Sequence, residues 1–454
     1  MKNINLRKSL LELHKNNLNR KLVIGNRKYL TINKLNIGVR SSKNWKAIVC
    51  CKNTINLIHI LTSVDGIAEV ICPINYLMSE KDKDAILKQY NFTHLITDIT
   101  GKTLDIFKTF GLKIIEYKKI EFKKIKFYES AETKTAWLVP TSGTSALPKL
   151  VKHTLQTLAK NVKNKPNKNK QSQVWGMLYD ITRYAGYQVF FQSLLTGGKL
   201  IITNADEPLK KQIDKFIKNK VSCISATPTL WRKILMYPKS KKLNLDKIIL
   251  GGEPADQNIL DALLKTYKFA KITHVYASTE AGVTFSVSDV KSGFPLSFIK
   301  NSKNNIKIKV KNKHLFIKSP GTALSYLRSN KLFDKNGWIK TGDIIKIQGK
   351  RFFVTGRESG ILNVGGDKVL PEEIRRVLLE CNIVQDAVVY GKKNPFIGYL
   401  INADIQLKKI KEKHQAKREL KFYINKNLPK NQRPQIINFL SSVNTDNSGK
   451  ARIR

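Results

Sequence analysis

Residues 138–149 of the chain read Leu138-Val139-Pro140-Thr141-Ser142-Gly143-Thr144-Ser145-Ala146-Leu147-Pro148-Lys149. An apolar run over 136–139 stops at hydroxyl-bearing and small residues, and a proline and a lysine follow. This order is typical of a buried strand that leads into a phosphate-binding turn. Backbone N–H groups and hydroxyls in such a turn surround a polyphosphate, and the lysine adds positive charge. A solvated loop is the alternative interpretation, so the prediction depends on the rest of the chain.

The composition indicates a globular protein. A chain of 454 residues predicts one large and one smaller domain, or two to three of moderate size. Apolar residues make up 41% and charged residues 26%, which argues against disorder. No apolar run approaches the roughly 18 residues of a membrane span, and the N-terminus leads into no signal-peptide core. Five cysteines without metal-ligand spacing fit buried thiols in a reducing cytoplasm. We therefore predict a cytoplasmic protein without an integral membrane segment.

The formal net charge of +48 invites a nucleic-acid interpretation. Lysine is, however, spread along the whole chain together with Asn and Ile, as AT-rich codon usage would produce. No RGG tract, zinc knuckle or basic helix with interleaved aromatics is present. We predict no nucleic-acid partner and expect the charge to favour anionic ligands such as nucleotides. The densest basic segments, 160–170 and 300–313, are predicted to be solvated loops or hairpin edges.

Short apolar strands alternate with amphipathic helices. The predicted strands cover 45–51, 66–74, 94–98, 199–203, 222–226, 247–250 and 272–275. The predicted helices cover 56–64, 80–90, 154–162, 186–195 and 209–219. This alternation predicts parallel strands with helical crossovers. Ligands bind beyond the carboxyl ends of such strands, and three strands end in unusual sequences: Thr227-Pro228, Gly251 to Pro254 and Tyr276 to Glu280.

Six short motifs extend this pattern along the chain. They are the loop at 141–149, Gly251-Gly252-Glu253-Pro254, Tyr276-Ala277-Ser278-Thr279-Glu280, Lys340-Thr341-Gly342-Asp343, Gly356-Arg357-Glu358-Ser359 continuing through Gly366 to Pro371-Glu372-Glu373-Ile374, and Asn447-Ser448-Gly449-Lys450. Each is weak alone, but together they span 141–450. In kind and order they resemble the adenylate-forming superfamily, which comprises acyl-CoA synthetases, peptide-synthetase adenylation domains and luciferases.

The resemblance implies an α/β fold with two domains. A large N-terminal AMP-binding domain, residues 1–356, would contain mixed, mostly parallel sheets packed with helices. A small α+β C-terminal domain, residues 357–454, would rotate about a hinge at Ser359 and carry the catalytic lysine. Gly366 resembles the small residue beside the tunnel through which a pantetheine thiol approaches.

The resemblance also implies a chemistry that explains the catalytic residues. A carboxylate oxygen attacks the α-phosphate of ATP while pyrophosphate leaves, so the site must neutralise charge and hold two anions together. Thr279 resembles the α-phosphate contact, while Glu280, with Thr144, resembles the residues that hold Mg²⁺. Lys450 resembles the lysine that bridges the acyl carboxylate and the phosphates during adenylation and withdraws before thioester formation. In isolation, Glu280 would fit an ordinary salt bridge and Lys450 a solvated tail.

The nucleotide site is implied in the same way. Asp343 resembles the carboxylate that accepts hydrogen bonds from both ribose hydroxyls. Arg357 is implied to contact ribose or phosphate, with a bridge to Asp343 or Glu358 as the alternative. The turn at Gly251 and the ring of Tyr276 would enclose the adenine. The complete implied nucleotide site is Thr141, Ser142, Gly143, Thr144, Ser145, Lys149, Gly251, Gly252, Glu253, Pro254, Tyr276, Ala277, Ser278, Thr279, Asp343 and Arg357.

Several positions depart from the superfamily pattern. Ala146 replaces the second loop glycine and restricts φ there. Ser359 occupies a hinge position that is usually Asp or Lys. Asn444 and Asp446 stand where Pro and Thr are commoner. None of these differences removes a charged catalytic group.

The acyl pocket is the part about which the sequence says least. The resemblance implies a lining of Tyr184, Ala185, Gly186, Tyr187, Gly251, Val275, Val283 and Thr284. Adenylation domains for α-amino acids usually carry an Asp for the amine, and counting back from Gly197-Gly198 puts Tyr184 at that position. This favours an acid without an α-amine, recognised by Tyr184 or Arg183. A gap in the match would instead move Asp180 into the role.

The sequence therefore predicts an ATP-dependent, AMP-forming acid–thiol ligase. It would use ATP, Mg²⁺ and coenzyme A to convert a small-molecule carboxylic acid, through acyl-AMP, into its thioester. One alternative is a stand-alone adenylation enzyme that loads an acyl or amino acid onto the phosphopantetheine of a carrier protein. The other is a non-catalytic or nucleic-acid-binding protein. Whether free coenzyme A suffices as acceptor separates the first two, and ATP–pyrophosphate exchange separates both from the third.

Overall fold

The structure is a computed structural model. It describes residues 5–15, 17–25, 28–34, 36–37, 45–120, 122–123, 134–141, 147–162, 173–203, 207–300, 305–327, 332–394, 398–408, 413–444 and 450. Four predicted nucleotide-site residues, Ser142 to Ser145, therefore lie outside the described residues. The same holds for Ala146, Asp446 and the residues 447–449 that precede Lys450.

The described residues form twelve α helices and twenty-seven strands. The helices are α1 Leu6–His14, α2 Thr54–Val64, α3 Glu80–Leu87, α4 Asp105–Thr109, α5 Leu155–Leu158, α6 Tyr184–Leu195, α7 Leu209–Lys218, α8 Pro228–Leu235, α9 Gln257–Thr266, α10 Ser297–Lys300, α11 Pro371–Glu380 and α12 Lys413–Asn427. The strands are β1 Lys21–Ile24, β2 Tyr29–Thr31, β3 Asn36–Ile37, β4 Lys46–Cys50, β5 Val70–Pro73, β6 His94–Thr97, β7 Lys113–Glu116, β8 Phe122–Lys123, β9 Ala136–Thr141, β10 Lys149–Thr154, β11 Val174–Met177, β12 Lys199–Ile202, β13 Cys223–Ala226, β14 Lys247–Gly251, β15 Lys271–Ser278, β16 Gly282–Val287, β17 Phe294–Pro295, β18 Lys307–Lys311, β19 His314–Lys318, β20 Ser325–Tyr326, β21 Ile339–Gln348, β22 Arg351–Arg357, β23 Leu362–Val364, β24 Asp367–Val369, β25 Val384–Asn394, β26 Gly398–Leu407 and β27 Ile436–Leu440.

Two large sheets form the N-terminal part. One has the order β16-β15-β14-β13-β11-β12-β1-β2, and its strands from β15 to β1 are parallel, with antiparallel strands at both edges. The other has the order β20-β10-β9-β5-β4-β6-β7, in which β9, β5, β4, β6 and β7 are parallel. All four residues of β13 are buried, as expected for a parallel strand covered on both faces.

The core lies between these sheets. One buried cluster joins helices α1, α2 and α6 to strands of both sheets, with Trp137 from β9 and Trp175 from β11 among its members. The apolar start of the opening stretch is thus a buried strand, as predicted. Thr141 and Lys149 lie opposite each other where β9 and β10 pair, so the ends of the loop between them are fixed by the sheet.

Two smaller sheets follow. Strands β17-β22-β21-β19-β18 form an antiparallel sheet that carries Asp343 and Arg357. After it, β24-β23-β26-β25 form a sheet to which β27 adds beside β26. This last sheet packs with α11 and α12 around its own core between Val364 and Leu428. We call residues 362–444, with Lys450, the C-terminal unit.

The architecture confirms the predicted fold class, a large part with mixed, mostly parallel sheets followed by a small α+β part. A domain boundary after residue 356 and a hinge at Ser359 stay predictions. Ser359 lies in a short 3-10 turn, Glu358–Gly360, between the two parts.

Some local predictions were wrong. The helix predicted over 154–162 is only α5, because 149–154 is a strand and Thr154 caps the helix that follows it. The strand predicted over 66–74 begins at Val70, after Gly66 at a φ of +84°. The basic segment at 300–313 contributes β18 to a hairpin with β19, as predicted, whereas most of 160–170 lies outside the described residues.

Candidate active site

A cavity of about 730 Å³ lies at the carboxyl ends of the central parallel strands. This is where ligands bind in sheets of this kind. Its lining comes from sequence segments that are far apart: Pro140, Thr141, Asn161, Trp175, Tyr179, Arg183, Tyr184, Ala185, Gln188, Val189, Gln192, Ser225, Thr227, Ile249, Gly251, Gly252, Thr273, Val275, Ala277, Ser278, Thr279, Glu280, Val283, Thr284, Phe285, Ser286, Phe298, Ile306, Ile308, Arg357 and Lys450.

Thr279 and Glu280 lie in the tight turn between β15 and β16. Gly282 ends the turn at a φ of +75°, and a Cβ there would lie 2.5 Å from the carbonyl oxygen of Gly321. Only glycine avoids both the unfavourable φ and this clash. The amide of Ala323 donates to the carbonyl of Glu280 at 2.8 Å. The backbone therefore fixes both candidate catalytic residues at the edge of the cavity.

A buried histidine that the sequence analysis missed supports this turn. His153 Nε2 lies 2.7 Å from the carbonyl oxygen of Thr279, and its Nδ1 lies 2.9 Å from the Thr157 hydroxyl. A carbonyl oxygen only accepts, so Nε2 carries the proton and donates. Burial lowers the pKa of His153 to about 4, which keeps the ring neutral near pH 7. Its sequence signal was an inward-facing position on the strand that follows the loop.

The Glu280 carboxylate has a neutral partner. The Tyr326 hydroxyl donates to Glu280 Oε1 at 3.0 Å. The Nζ atom of Lys149 lies 5.8 Å from the centre of the Tyr326 ring. Lys149 does not line the cavity. Among the described residues, Glu280 forms no ion pair within 4.0 Å, so the salt-bridge alternative finds no partner there.

Asp343 is buried and lies at the centre of a hydrogen-bond group. Arg357 Nε donates to Asp343 Oδ1 at 3.0 Å, and the Tyr276 hydroxyl donates to Oδ2. Burial alone would lower the pKa of Arg357, but the nearby Asp343 and Glu280 carboxylates outweigh it and raise that pKa. The bridge considered from sequence is therefore present, and Arg357 lines the cavity at the same time. The Tyr276 ring stacks on Phe285 with centroids 4.7 Å apart.

Four further residues of the implied nucleotide site do not line the cavity. Tyr276 packs on Phe285, and Asp343 accepts a hydrogen bond from Arg357. Phe285 and Arg357 line the cavity. Glu253 points away from it, because its Oε2 accepts from the amide of Thr229 at 3.1 Å. Pro254 follows in the same turn and is also absent from the lining.

One face of α6 forms the wall of the predicted acyl pocket. Tyr184, Ala185, Gln188, Val189 and Gln192 line the cavity, at the spacing of one helix face. Val275, Val283, Thr284 and Gly251 also line this cavity, and their role in acyl binding stays a prediction.

Two residues that the resemblance implied for this lining, Gly186 and Tyr187, do not line the cavity. Gly186 packs against the preceding backbone, where a Cβ would lie 2.2 Å from the carbonyl oxygen of Asp180. Tyr187 is fully buried in the core and packs edge-on against Trp137 at 5.6 Å. Both belong to the opposite side of α6.

Both carboxylate oxygens of Asp180 accept hydrogen bonds from neighbouring protein groups. Its Oδ2 accepts from Asn75 Nδ2 at 2.7 Å, and its Oδ1 accepts from the amide and hydroxyl of Thr182 at 2.9 and 2.8 Å. Asp180 does not line the cavity, whereas Arg183 does. The amide of Val283 donates to the Tyr184 hydroxyl oxygen at 3.2 Å. The alternative that assigned Asp180 to an amine finds no support in this geometry.

Lys450 reaches the cavity from the far end of the sequence. It lines the cavity with Gly252, and its Cε lies 3.3 Å from the point where a Cβ on Gly252 would stand. The structure thus brings Lys450 into one space with Thr279 and Glu280. Gly366 lies elsewhere, with nothing within 4 Å of an added Cβ.

No group of three or more His, Cys, Asp or Glu residues among the described positions could hold a metal alone. A cation beside Glu280 would need oxygen ligands from elsewhere, such as phosphates. Thr144, the other predicted metal residue, lies outside the described residues. In the part of the chain that the structure describes, no helix has both the length and the apolar character to span a bilayer. All five cysteines are buried and free.

Comparison with known proteins gives consistent matches. The model of the family described as AMP-binding enzyme matches residues 35–327. A 2-succinylbenzoate–CoA ligase of Staphylococcus epidermidis is 24% identical over 317 residues, which cover 64% of this chain and 65% of the relative. The match therefore spans just under two thirds of that relative's length.

Two solved structures share the fold. An anthranilate CoA ligase in complex with anthranoyl-AMP superposes with a TM-score of 0.79 at 15% identity, covering 99% of this chain and 95% of the other. The o-succinylbenzoate coenzyme A synthetase of Bacillus subtilis, in complex with ATP and magnesium ion, superposes with a TM-score of 0.72 at 20% identity and covers 98% of both chains.

Proposed function

Because this chain belongs to the AMP-binding enzyme family, we propose that it is an ATP-dependent, AMP-forming acid–thiol ligase. It would activate a carboxylic acid as acyl-AMP with release of pyrophosphate and transfer the acyl group to coenzyme A. The observation that carries the proposal is the cavity shared by Thr279, Glu280 and Lys450. The 2-succinylbenzoate–CoA ligase named above supports coenzyme A as the acceptor.

The proposed adenylation step follows from the charges around this cavity. The Lys450 ammonium would hold the substrate carboxylate beside the α-phosphate and so offset the repulsion between two anions. Thr279, fixed by His153, would contact the α-phosphate. Glu280, with Thr144, would hold Mg²⁺, which supplies charge neutralisation on the phosphates.

The rest of the nucleotide would lie along the turn at Gly251. Asp343 would exchange its bonds from Tyr276 and Arg357 for bonds from the ribose hydroxyls, leaving the Arg357 fork available to a phosphate or ribose oxygen. The bare backbone at Gly251 and Gly252 would allow close approach of the adenine.

We propose an acid without an α-amine as the substrate. An ammonium group needs a nearby carboxylate, and Asp180 is already satisfied by Asn75 and Thr182. The acyl wall instead presents Arg183, Gln188 and Gln192 beside apolar groups. This lining suits a neutral or anionic acyl group.

The domain division at residue 356, the hinge at Ser359 and the thiol approach beside Gly366 are parts of the same proposal. A reducing, cytoplasmic setting is proposed as well, and the five free buried thiols support it.

ATP–pyrophosphate exchange tests the proposed function. The purified chain would be assayed with a panel of aromatic, aliphatic and dicarboxylic acids and, in parallel, with α-amino acids. We expect at least one acid without an α-amine to support exchange and free coenzyme A to yield its thioester. Exchange with no acid, or only with α-amino acids, would contradict the proposal. A requirement for a carrier protein would show that coenzyme A is not the acceptor.

A further inference from the structure

Arg375 is a largely buried cation at the contact between the C-terminal unit and the N-terminal part. It lies on α11, and its side chain is 14% exposed. Within the C-terminal unit, its Nε donates to the carbonyl of Ala387 at 2.6 Å, and its Nη2 donates to Asp386 Oδ1 at 3.0 Å. Asp386 is 2% exposed. Strand β25 therefore fixes the orientation of the Arg375 side chain through these two hydrogen bonds.

The same guanidinium reaches across to the N-terminal part. Its Nη2 donates to the Thr229 hydroxyl oxygen at 2.8 Å, and its Nη1 lies 4.0 Å from Glu253 Oε1. Glu253 belongs to the turn that begins with Gly251 and Gly252 and also accepts from the amide of Thr229. A single side chain thus joins the C-terminal unit to the turn that faces Lys450.

Two neutral side-chain contacts also cross this boundary, and the Lys233 ammonium on α8 interacts electrostatically with Asp386 and Glu253. Asn258 Nδ2 donates to the carbonyl of Leu379 at 2.7 Å, and Gln406 Nε2 lies 3.6 Å from the sulfur of Met236. Hydrogen bonds that involve a charged partner contribute more than neutral ones. The guanidinium lies near one carboxylate from each side, Glu253 and Asp386, and both carboxylates also interact with Lys233.

We propose that Arg375 is a positioning residue that fixes the C-terminal unit against the Gly251 turn and thereby holds Lys450 in the cavity. The inference rests on the proposed function, because it assigns Lys450 to adenylation. Arg375 touches no substrate. It acts through the placement of Lys450, so its loss would slow adenylation and spare the transfer of a preformed acyl-AMP to coenzyme A.

Two variants test the link at different strengths. Arg375→Lys keeps the charge but loses the planar fork that serves Thr229 and Asp386 together, and we expect adenylation to fall about tenfold. Thr229→Val removes one hydrogen bond across the boundary and leaves the pairs with Glu253 and Asp386 intact, and we expect a fall of severalfold. The matched control is Arg376→Lys, on the same helix, because Arg376 forms an ion pair within that helix, with Glu380 at 3.0 Å.

Two measurements separate positioning from a general structural role. The first is the ratio of ATP–pyrophosphate exchange to thioester formation from synthetic acyl-AMP. The second is energy transfer between fluorophores on introduced cysteines at Phe269 and Phe422, which are 96% and 72% exposed, with the native cysteines all buried. A misfolded variant would lose both half-reactions together, whereas a misplaced C-terminal unit loses only the first.

The inference is supported if both variants lower the ratio and shift the energy transfer while Arg376→Lys matches the parent. It is overturned if the ratio and the energy transfer in both variants stay at the parental values, or if Thr229→Val loses both half-reactions equally. A parent that shows no exchange with any acid would contradict the proposed function instead, and the energy transfer would then decide the inference on its own.

Discussion

Thr279 and Glu280 reach the cavity from the end of a strand inside a large sheet, whereas Lys450 reaches it from the C-terminal unit. The first two are held by the Gly282 turn, the ring of His153 and the amide of Ala323. We infer that the placement of Lys450 depends on contacts between two parts of the chain, among them those of Arg375.

This difference in support predicts a difference in use. A residue fixed by its own sheet stays in place through both half-reactions. A residue that depends on contacts between two parts is present only while those contacts are made. Substitutions on the two sides of the cavity should therefore leave different kinetic patterns.

The largest effect is expected at Lys450. Lys450→Ala should lose the charge-assisted hydrogen bonds that join carboxylate and phosphate, and ATP–pyrophosphate exchange should fall by on the order of a thousandfold. The control is Lys421→Ala, an exposed lysine on α12. Exchange at the parental rate in Lys450→Ala would show that Lys450 has no part in adenylation and belongs to a solvated tail.

A smaller loss is expected at Glu280. Glu280→Gln removes a charge that would hold Mg²⁺, so exchange should fall by on the order of a hundredfold. The Mg²⁺ concentration needed for half-maximal rate should also rise, which Lys450→Ala should not cause. Glu69→Gln, on a half-exposed carboxylate that does not line the cavity, is the control. An unchanged Mg²⁺ requirement would speak against metal binding at Glu280.

Asp343 should affect nucleotide binding in both half-reactions. Asp343→Ala would remove the acceptor for the ribose hydroxyls, and we expect KM to rise about tenfold or more for ATP and for acyl-AMP alike. A rise for ATP alone would show that Asp343 does not hold the part of the nucleotide that both ligands share.

The smallest effect near neutral pH is expected at His153. Its pKa is about 4 in the folded chain against 6.5 when unperturbed, so the unfolded chain binds one more proton between these values. Stability should therefore fall as pH drops from about 6.5 to about 4, by up to about 3 kcal/mol from this residue. His153→Gln should make the pH dependence of the unfolding free energy shallower by about one proton. An unchanged slope would mean that His153 is charged in the folded chain.

The sequence predicted which strands deliver residues to the site better than it predicted which residues line the walls of the cavity. Apolar runs that stop at Thr227 and Gly251 identified the ends of β13 and β14, because burial on both faces leaves a strong local signal. The third strand, predicted to end at Val275, continues to Ser278. The motifs placed Thr279, Glu280 and Lys450 together, and the structure brings all three to one cavity.

The wall residues could not be predicted because they depend on long-range packing. Gly186 and Tyr187 were assigned to the pocket by position in the chain, yet the rotation of α6 turns them to the core and turns Gln188 and Gln192 to the cavity. His153 and Arg375 were missed for the same reason. Each is defined by a partner more than one hundred residues away, Thr279 in one case and Thr229 in the other.

The most direct test of the account uses Lys450→Ala with synthetic acyl-AMP and coenzyme A. Acyl-AMP bypasses the first half-reaction, so the difference between the two sides of the cavity should appear within one variant. The account predicts thioester formation at nearly the parental rate in a variant whose ATP–pyrophosphate exchange has collapsed. Equal loss of both half-reactions, in a variant shown to be folded, would contradict it.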